Sequence, residues 1–219
     1  MAYRAVLFDW MLTLAHYPRP EDLLRRAGRA LGREVDVDAL AAGMRRAQAD
    51  PDVVDAMRRV DCSPDEHLRA EMLLLRTAGL DELLADAYYD LIGRPETHPI
   101  YPEVGRVLRQ LRESRVRIGI VSDIHVDLRE HARLAGIDKW ISNWTLSFEL
   151  GVQKPDPEMY RHALEGLRVA PHDALMLGDR HTVDGAASRY GIDALILPDR
   201  GRDPAVPDNR LAGVVRLAT

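Results

Sequence analysis

The chain has 219 residues, a formal net charge of −5, 46% hydrophobic and 30% charged residues. That suits one sizeable globular domain, or a core with an inserted subdomain, and excludes a disordered or fibrous protein. The acidic balance gives no electrostatic reason to bind nucleic acid or an anionic membrane surface, and no apolar stretch reaches the roughly 20 residues that span a bilayer.

The single cysteine, Cys62, has no intrachain partner, no Cys/His cluster has zinc-ligand spacing, and no signal-peptide pattern opens the sequence. A reducing, cytoplasmic setting is therefore expected. The basic residues comprise 28 arginines and two lysines, Lys139 and Lys154, so each lysine stands against a strong bias.

In chain order, the first predicted element is the strand AVLF (5–8), ending at Asp9. Four helical patterns follow over residues 15–98: EDLLRRAGRAL, VDALAAGMRRAQA, DEHLRAEMLLLRTAGL and DELLADAYYDLIG, with no convincing strand among them. The Pro-rich joints HYPRP (16–20) and RPETHPIYP (94–102) bracket them as linkers or hinges would. The sequence then alternates. A helix over 103–114 places Val104, Val107, Leu108 and Leu111 on one face, and the strand VRIGIV (116–121) follows. A helix over 126–136 ends at Gly136, and another over 156–167 starts with Asp156 as N-cap and Pro157 in the first position. ALML (174–177) and ALIL (194–197) are the last strands. Short apolar runs without strict alternation belong to parallel strands buried on both faces. The expected fold is α/β, a Rossmann-like doubly wound parallel sheet built from 1–14 and 99–219, with an all-helical insertion over 15–98.

Three predicted strands end in polar residues: Asp9, Ser122-Asp123 and Gly178-Asp179. Ligands of open α/β sheets bind beyond the carboxyl ends of the strands, where all of these project. GVQKPDP (151–157) adds Lys154 just before a helix, and GDRHTVDG adds Asp184 at the start of another. Asp9, Asp179 and Asp184 in one crevice would repel each other unless a cation were bound, and Mg2+, which prefers carboxylates, water and phosphate oxygens, resolves the conflict. Ser122 and the amides near it, with Lys154, would hold phosphate oxygens. Asp9 then has two uses, as metal ligand and as nucleophile.

The set FDWMLT, VSD, KPDP and LGDRHTVDG resembles the haloacid dehalogenase-like hydrolase superfamily in residue type and order, over essentially the whole chain. The resemblance implies that the helical insertion is a cap closing over the active site. It also implies that Asp9 is the nucleophile, with Thr13 in the same loop; that Ser122, beside Asp123, and Lys154 bind phosphate; and that Asp179 and Asp184 form the acidic pair. The backbone carbonyl of Met11 is implied as a further metal ligand. The expected substrate is a small phosphorylated metabolite, with no nucleic-acid or membrane partner.

The departures lie in the opening motif. Phosphatases of this superfamily read DxDGT, whereas this chain reads DWMLT, so Met11 replaces the acid that protonates the leaving oxygen and Leu12 replaces a glycine. Losing a general acid-base group costs about 10²–10⁴-fold in rate, or roughly 3–5 kcal/mol of barrier, so alkyl phosphates are expected to be poor substrates beside aryl or acyl phosphates. Leu12 implies a differently shaped loop, because leucine avoids angles open to glycine. Two alternatives stand beside a phosphatase: a metal-independent 2-haloacid dehalogenase, whose halide leaves unprotonated, and a catalytically impaired protein that binds a ligand or partner. The dehalogenase pattern carries serine and asparagine where this chain keeps Gly178-Asp179 and Asp184.

Plainer roles compete at several positions. His181 and His125 are expected on loop surfaces, Trp10 in packing, Met11 in an apolar contact beneath the cap, and Asp184 also as a helix cap. Among Arg25, Arg26, Arg29 and Arg33 the sequence does not select one that meets an anionic substrate.

Overall fold

The computed structural model describes residues 3–197 and 210–219; the part of the expected core segment at 198–209 lies outside the described residues. Five parallel strands form one sheet in the order β3-β2-β1-β4-β5: β1 (Ala5–Phe8), β2 (Arg117–Ser122), β3 (Asn143–Leu146), β4 (Ala174–Gly178) and β5 (Asp193–Ile196). The α/β parallel-sheet expectation thus holds. β1 occupies the centre, with Phe8 opposite Ile120 on one side and Leu177 on the other. The strand order reverses there, so the ends of β1, β2 and β4 meet around a single crevice.

The pleat explains why β1 is apolar throughout. Val6 and Phe8 pack on one side into a core that includes Val104, Val107, Leu108 and Leu111, while Ala5 and Leu7 pack on the other against Met159, Tyr160, Ala163 and Leu167. The first set of partners comes from α6 (Val104–Glu113) and the second from α9 (Pro157–Leu167), helices on opposite faces of the sheet. The start of α9 follows local chemistry: Pro157 occupies its first turn and the Asp156 carboxylate accepts the Glu158 N–H at 2.9 Å. After α7 (Leu128–Leu134) the chain turns at Gly136, whose φ of +67° favours glycine.

Between β1 and α6 the described elements are helical: α1 (Pro20–Ala30), α2 (Val37–Ala47), α3 (Pro51–Ala56), α4 (Pro64–Thr77) and α5 (Glu82–Ile92). They share a hydrophobic cluster separate from those of the sheet, with Leu24, Leu75 and Leu84 at its centre. The two Pro-rich joints run together. His16 donates its N–H to the Pro99 carbonyl at 2.9 Å, and Tyr101 donates its own to Leu14 at 2.9 Å. Three elements carry no clear sequence signal: β3, a half-exposed four-residue edge strand, the short helix α3, and the one-turn helix α8 (Ser147–Leu150). The helix expected from Asp184 is a 3₁₀ turn, Gly185–Tyr190. Among the described residues, no helix is long and apolar enough to cross a membrane.

Candidate active site

Asp9 extends the central ladder by one residue, its N–H donating to the Leu177 carbonyl at 2.8 Å, which sets its carboxylate at the mouth of the crevice. Lys154, on the loop between α8 and α9, reaches it from the side. Its ammonium donates to Asp9 Oδ1 at 2.7 Å and to Asp184 Oδ1 at 2.6 Å, with the lysine side chain only 1% exposed. Asp184 lies fully buried below, and the absence of a side chain at Gly178 admits it: a Cβ there would stand 2.1 Å from the Asp184 Cγ. Asp184 does not cap the following turn; its second oxygen accepts the Arg180 N–H at 3.0 Å. Carboxylate oxygens of Asp9, Asp179 and Asp184 all lie within 4.8 Å of one another.

The electrostatics follow from this crowding. Burial pushes the Asp9 carboxyl up to about 7; Lys154 pulls it down, while Asp184 and Asp179 push it further up. Burial alone would lower the Lys154 ammonium, but Asp9, Asp123 and Asp184 outweigh it and hold the group above its ordinary range. Burial and the Asp184 charge also raise Asp179.

Asp123 follows β2 and is committed to protein partners. Its Oδ1 accepts the Lys154 N–H at 2.7 Å and its Oδ2 faces Arg180 Nη2 at 3.2 Å. It therefore orients the lysine loop and the arginine. Ser122 Oγ and Thr13 Oγ1 are buried with no hydrogen-bond partner among the described residues, which leaves unspent hydrogen-bonding capacity at two positions singled out by sequence.

The loop after Asp9 corrects the expectation about its shape. Leu12 adopts φ +58°, the left-handed conformation that glycine takes freely, and Arg210 donates to its carbonyl at 2.9 Å. The glycine-type turn is kept at a cost of roughly 1–2 kcal/mol. No described backbone N–H donates to the Met11 carbonyl. Trp10 is fully buried, its ring 6.0 Å from that of Trp144, as the packing role requires.

The crevice has a volume of about 240 Å³ and is walled by Asp9, Met11, Tyr17, Asp123, Asp179 and Arg180, with Asp61 contributed by the helical segment. An adjoining cavity of about 140 Å³ shares Met11, Tyr17, Asp61 and Asp123, and adds His67, Glu71 and His125. His181 is exposed, as expected. His125 is not: it is buried and stacks on His67 of α4 with ring centroids 3.3 Å apart, because α4 packs over the loop that carries it. None of Arg25, Arg26, Arg29 and Arg33 lines the crevice; Arg25 pairs with Asp22 and Arg33 with Asp81. Among the described residues, the arginine lining the crevice is Arg180, inside a motif already selected for its aspartates. Asp61 carried no sequence signal, since nothing around VDCSP marks it.

The family model for haloacid dehalogenase-like hydrolases matches residues 3–190. A glyceraldehyde 3-phosphate phosphatase from Methanopyrus kandleri is 32% identical over 204 residues, 86% of this chain and 81% of that protein. A phosphoserine phosphatase from Thermus thermophilus is 32% identical over 126 residues, 57% of this chain and about half (49%) of the relative. The crystal structure of a 2-haloacid dehalogenase from Pseudomonas syringae superposes with a TM-score of 0.63 at 22% identity, covering 99% of this chain and 98% of that one, a likeness of fold alone. The chain therefore belongs to the haloacid dehalogenase-like hydrolases.

Proposed function

We propose that the protein is a magnesium-dependent phosphatase of a small phosphorylated metabolite, acting through an aspartyl-phosphate on Asp9. The observation that carries the reading is charge. Asp9 and Asp184 share one ammonium, that of Lys154, Asp179 lies within 4.8 Å of both carboxylates, and Arg180 is engaged by Asp123, which leaves the cluster with surplus negative charge where an anionic substrate must enter. A divalent cation offsets that surplus, and the donor set suits Mg2+, all oxygen and partly carboxylate. Asp9, Asp179 and the Met11 carbonyl would hold the ion; Asp184, whose oxygens accept from Lys154 and Arg180, would add charge close by. When bound, Mg2+ would screen the phosphate from these carboxylates and stabilise charge on its oxygens.

The chain's own groups supply the rest. Asp9 attacks phosphorus, Lys154 holds the nucleophile and meets phosphate charge, and the buried hydroxyls of Ser122 and Thr13 are free to donate to phosphate oxygens. The crevice of about 240 Å³ falls below the roughly 300–1,000 Å³ of drug-sized ligand sites, which favours a small substrate. We place the helical segment 15–98 as the cap over this crevice; the presence of Asp61 in its wall and the paired joints support that division. A metal-independent dehalogenase is favoured by Met11, but a haloacid anion would meet the same carboxylates with only Lys154 and Arg180, already paired with aspartates, to offset them.

The test is phosphate release from acetyl phosphate and a panel of sugar phosphates with Mg2+ or EDTA, beside halide release from 2-haloacids. Phosphate release that needs Mg2+ and disappears in Asp9→Asn is expected. Halide release unaffected by EDTA, with no phosphate release, would refute the proposal.

A further inference from the structure

The missing acid at Met11 leaves one chemical step without a residue, and the structure brings another carboxylate to the same cavity. Asp61 lies between α3 and α4, in the helical segment, yet core side chains pin its backbone. Ser147 Oγ donates to its carbonyl at 2.5 Å, and its N–H donates to Gln153 Oε1 at 3.4 Å. The next residue, Cys62, also sits against Gln153, with its Sγ 3.7 Å from the same oxygen. This seating sets the Asp61 side chain in the wall shared by both cavities, alongside Met11 and, in the larger one, Asp9.

We propose that Asp61 donates the proton to the leaving-group oxygen, in the role that a carboxylate at Met11 would otherwise fill. The proposal rests on the phosphatase reading above. Asp9 attacks phosphorus while the bond from phosphorus to the leaving oxygen breaks; its electron pair stays on that oxygen, which takes the Asp61 proton and departs as an alcohol. The Asp61 carboxylate then takes a proton from the water whose oxygen attacks the aspartyl-phosphate. The phosphorus–Asp9 bond breaks, inorganic phosphate leaves, and both aspartates return to their starting states.

The surroundings suit that role. Burial pushes Asp61 up to about 7, with Asp123 adding to the shift and Arg180 and Lys154 opposing it, which keeps a protonated fraction near neutrality, where a general acid works best. His125 does not compete for the proton. Burial pushes it down to about 4, and its Nδ1 stands 3.9 Å from Asp61 Oδ1, beyond a hydrogen bond. Glu71 is likewise raised to about 7 by burial, but among the described residues it lines only the smaller cavity, away from Asp9.

The experiment compares wild type, Asp61→Asn and the double variant Asp61→Asn/Met11→Asp on an alkyl phosphate and on acetyl phosphate, whose leaving group needs no proton. In Asp61→Asn, first-turnover release of the alcohol should fall about 10²–10⁴-fold, first-turnover release of acetate, which precedes the water step that both substrates share, should fall less than about 10-fold, and the double variant should regain alcohol release. Thermal melting separates these effects from misfolding. Unchanged first-turnover alcohol release in Asp61→Asn, or equal first-turnover losses on both substrates, overturns the assignment while leaving the phosphatase reading intact. Wild-type protein that releases phosphate from neither substrate removes that reading and the assignment with it. Stoichiometric zinc or nickel in the purified protein, lost in Asp61→Asn, would also overturn it, making Asp61 a ligand with His67 and His125, whose donor atoms lie within 4.8 Å of one another.

Discussion

Replacing Lys154 by methionine isolates the electrostatic centre of the site. The ammonium makes two short bonds, at 2.7 Å to Asp9 and 2.6 Å to Asp184, in a region where the lysine and Asp184 side chains are each 1% exposed. Lys154→Met keeps most of the aliphatic volume and removes the charge, leaving Asp9 and Asp184 buried beside Asp179 without their ammonium. Breaking a buried ion pair from one side costs about 3–5 kcal/mol. At about 2–4 °C per kcal/mol for a chain of this size, that is a fall in Tm of about 6–20 °C. The sign of the pH dependence follows from the same groups. A carboxyl whose pKa is higher in the folded than in the unfolded state costs stability as pH rises from about 4 through its folded value, and Asp9 is already raised to about 7 by burial with the lysine present. Without it the shift grows, so the gap between variant and wild type should be widest near pH 7.5 and shrink as pH falls below the Asp9 value, where Asp9 is protonated in both folded proteins. Calorimetry in EDTA across that range is the assay. A gap below about 1 kcal/mol at pH 7.5, or one that stays constant down to pH 4, would refute the account.

The turn and the floor of the site make two further predictions. Because Leu12 sits at φ +58°, Leu12→Val forces a β-branched residue into the left-handed region and should destabilise by about 1–2 kcal/mol; a thermal melt matching wild type would show that the turn is not left-handed in solution. Gly178→Ala drives a methyl into the Asp184 carboxylate, 2.1 Å from its Cγ. It should cost about 1–3 kcal/mol and lower phosphate release by displacing Asp184 from Lys154, measured by calorimetry and a phosphate assay, and unchanged values in both would count against the packing described.

Much of the site was legible because chain order and sheet topology coincide. The apolar runs ending at Asp9, Ser122 and Gly178 are strand ends, and in a parallel sheet strand ends share an edge, so local pattern places these residues near one another. Lys154 stood out against a chain that otherwise uses arginine. β3 and α3 were not legible, because four residues with two half-exposed positions, or six residues opening on a proline, carry too short a period to register.

What the sequence determined by itself is therefore the α/β class, the parallel strands at the centre and the four motifs whose residues meet at the crevice. Tertiary structure decided the rest, in three places. Leu12 keeps a glycine-like turn, which its residue type argues against and its surroundings impose. His125 is buried rather than exposed, because a helix distant in sequence packs over its loop. Asp61 enters the cavity through hydrogen bonds to Ser147 and Gln153, residues more than 80 positions away. Local patterns report which elements form; they do not report which side chain of one segment is seated in a crevice built by others, since that depends on non-local packing and on hydrogen bonds made only once the segments have come together.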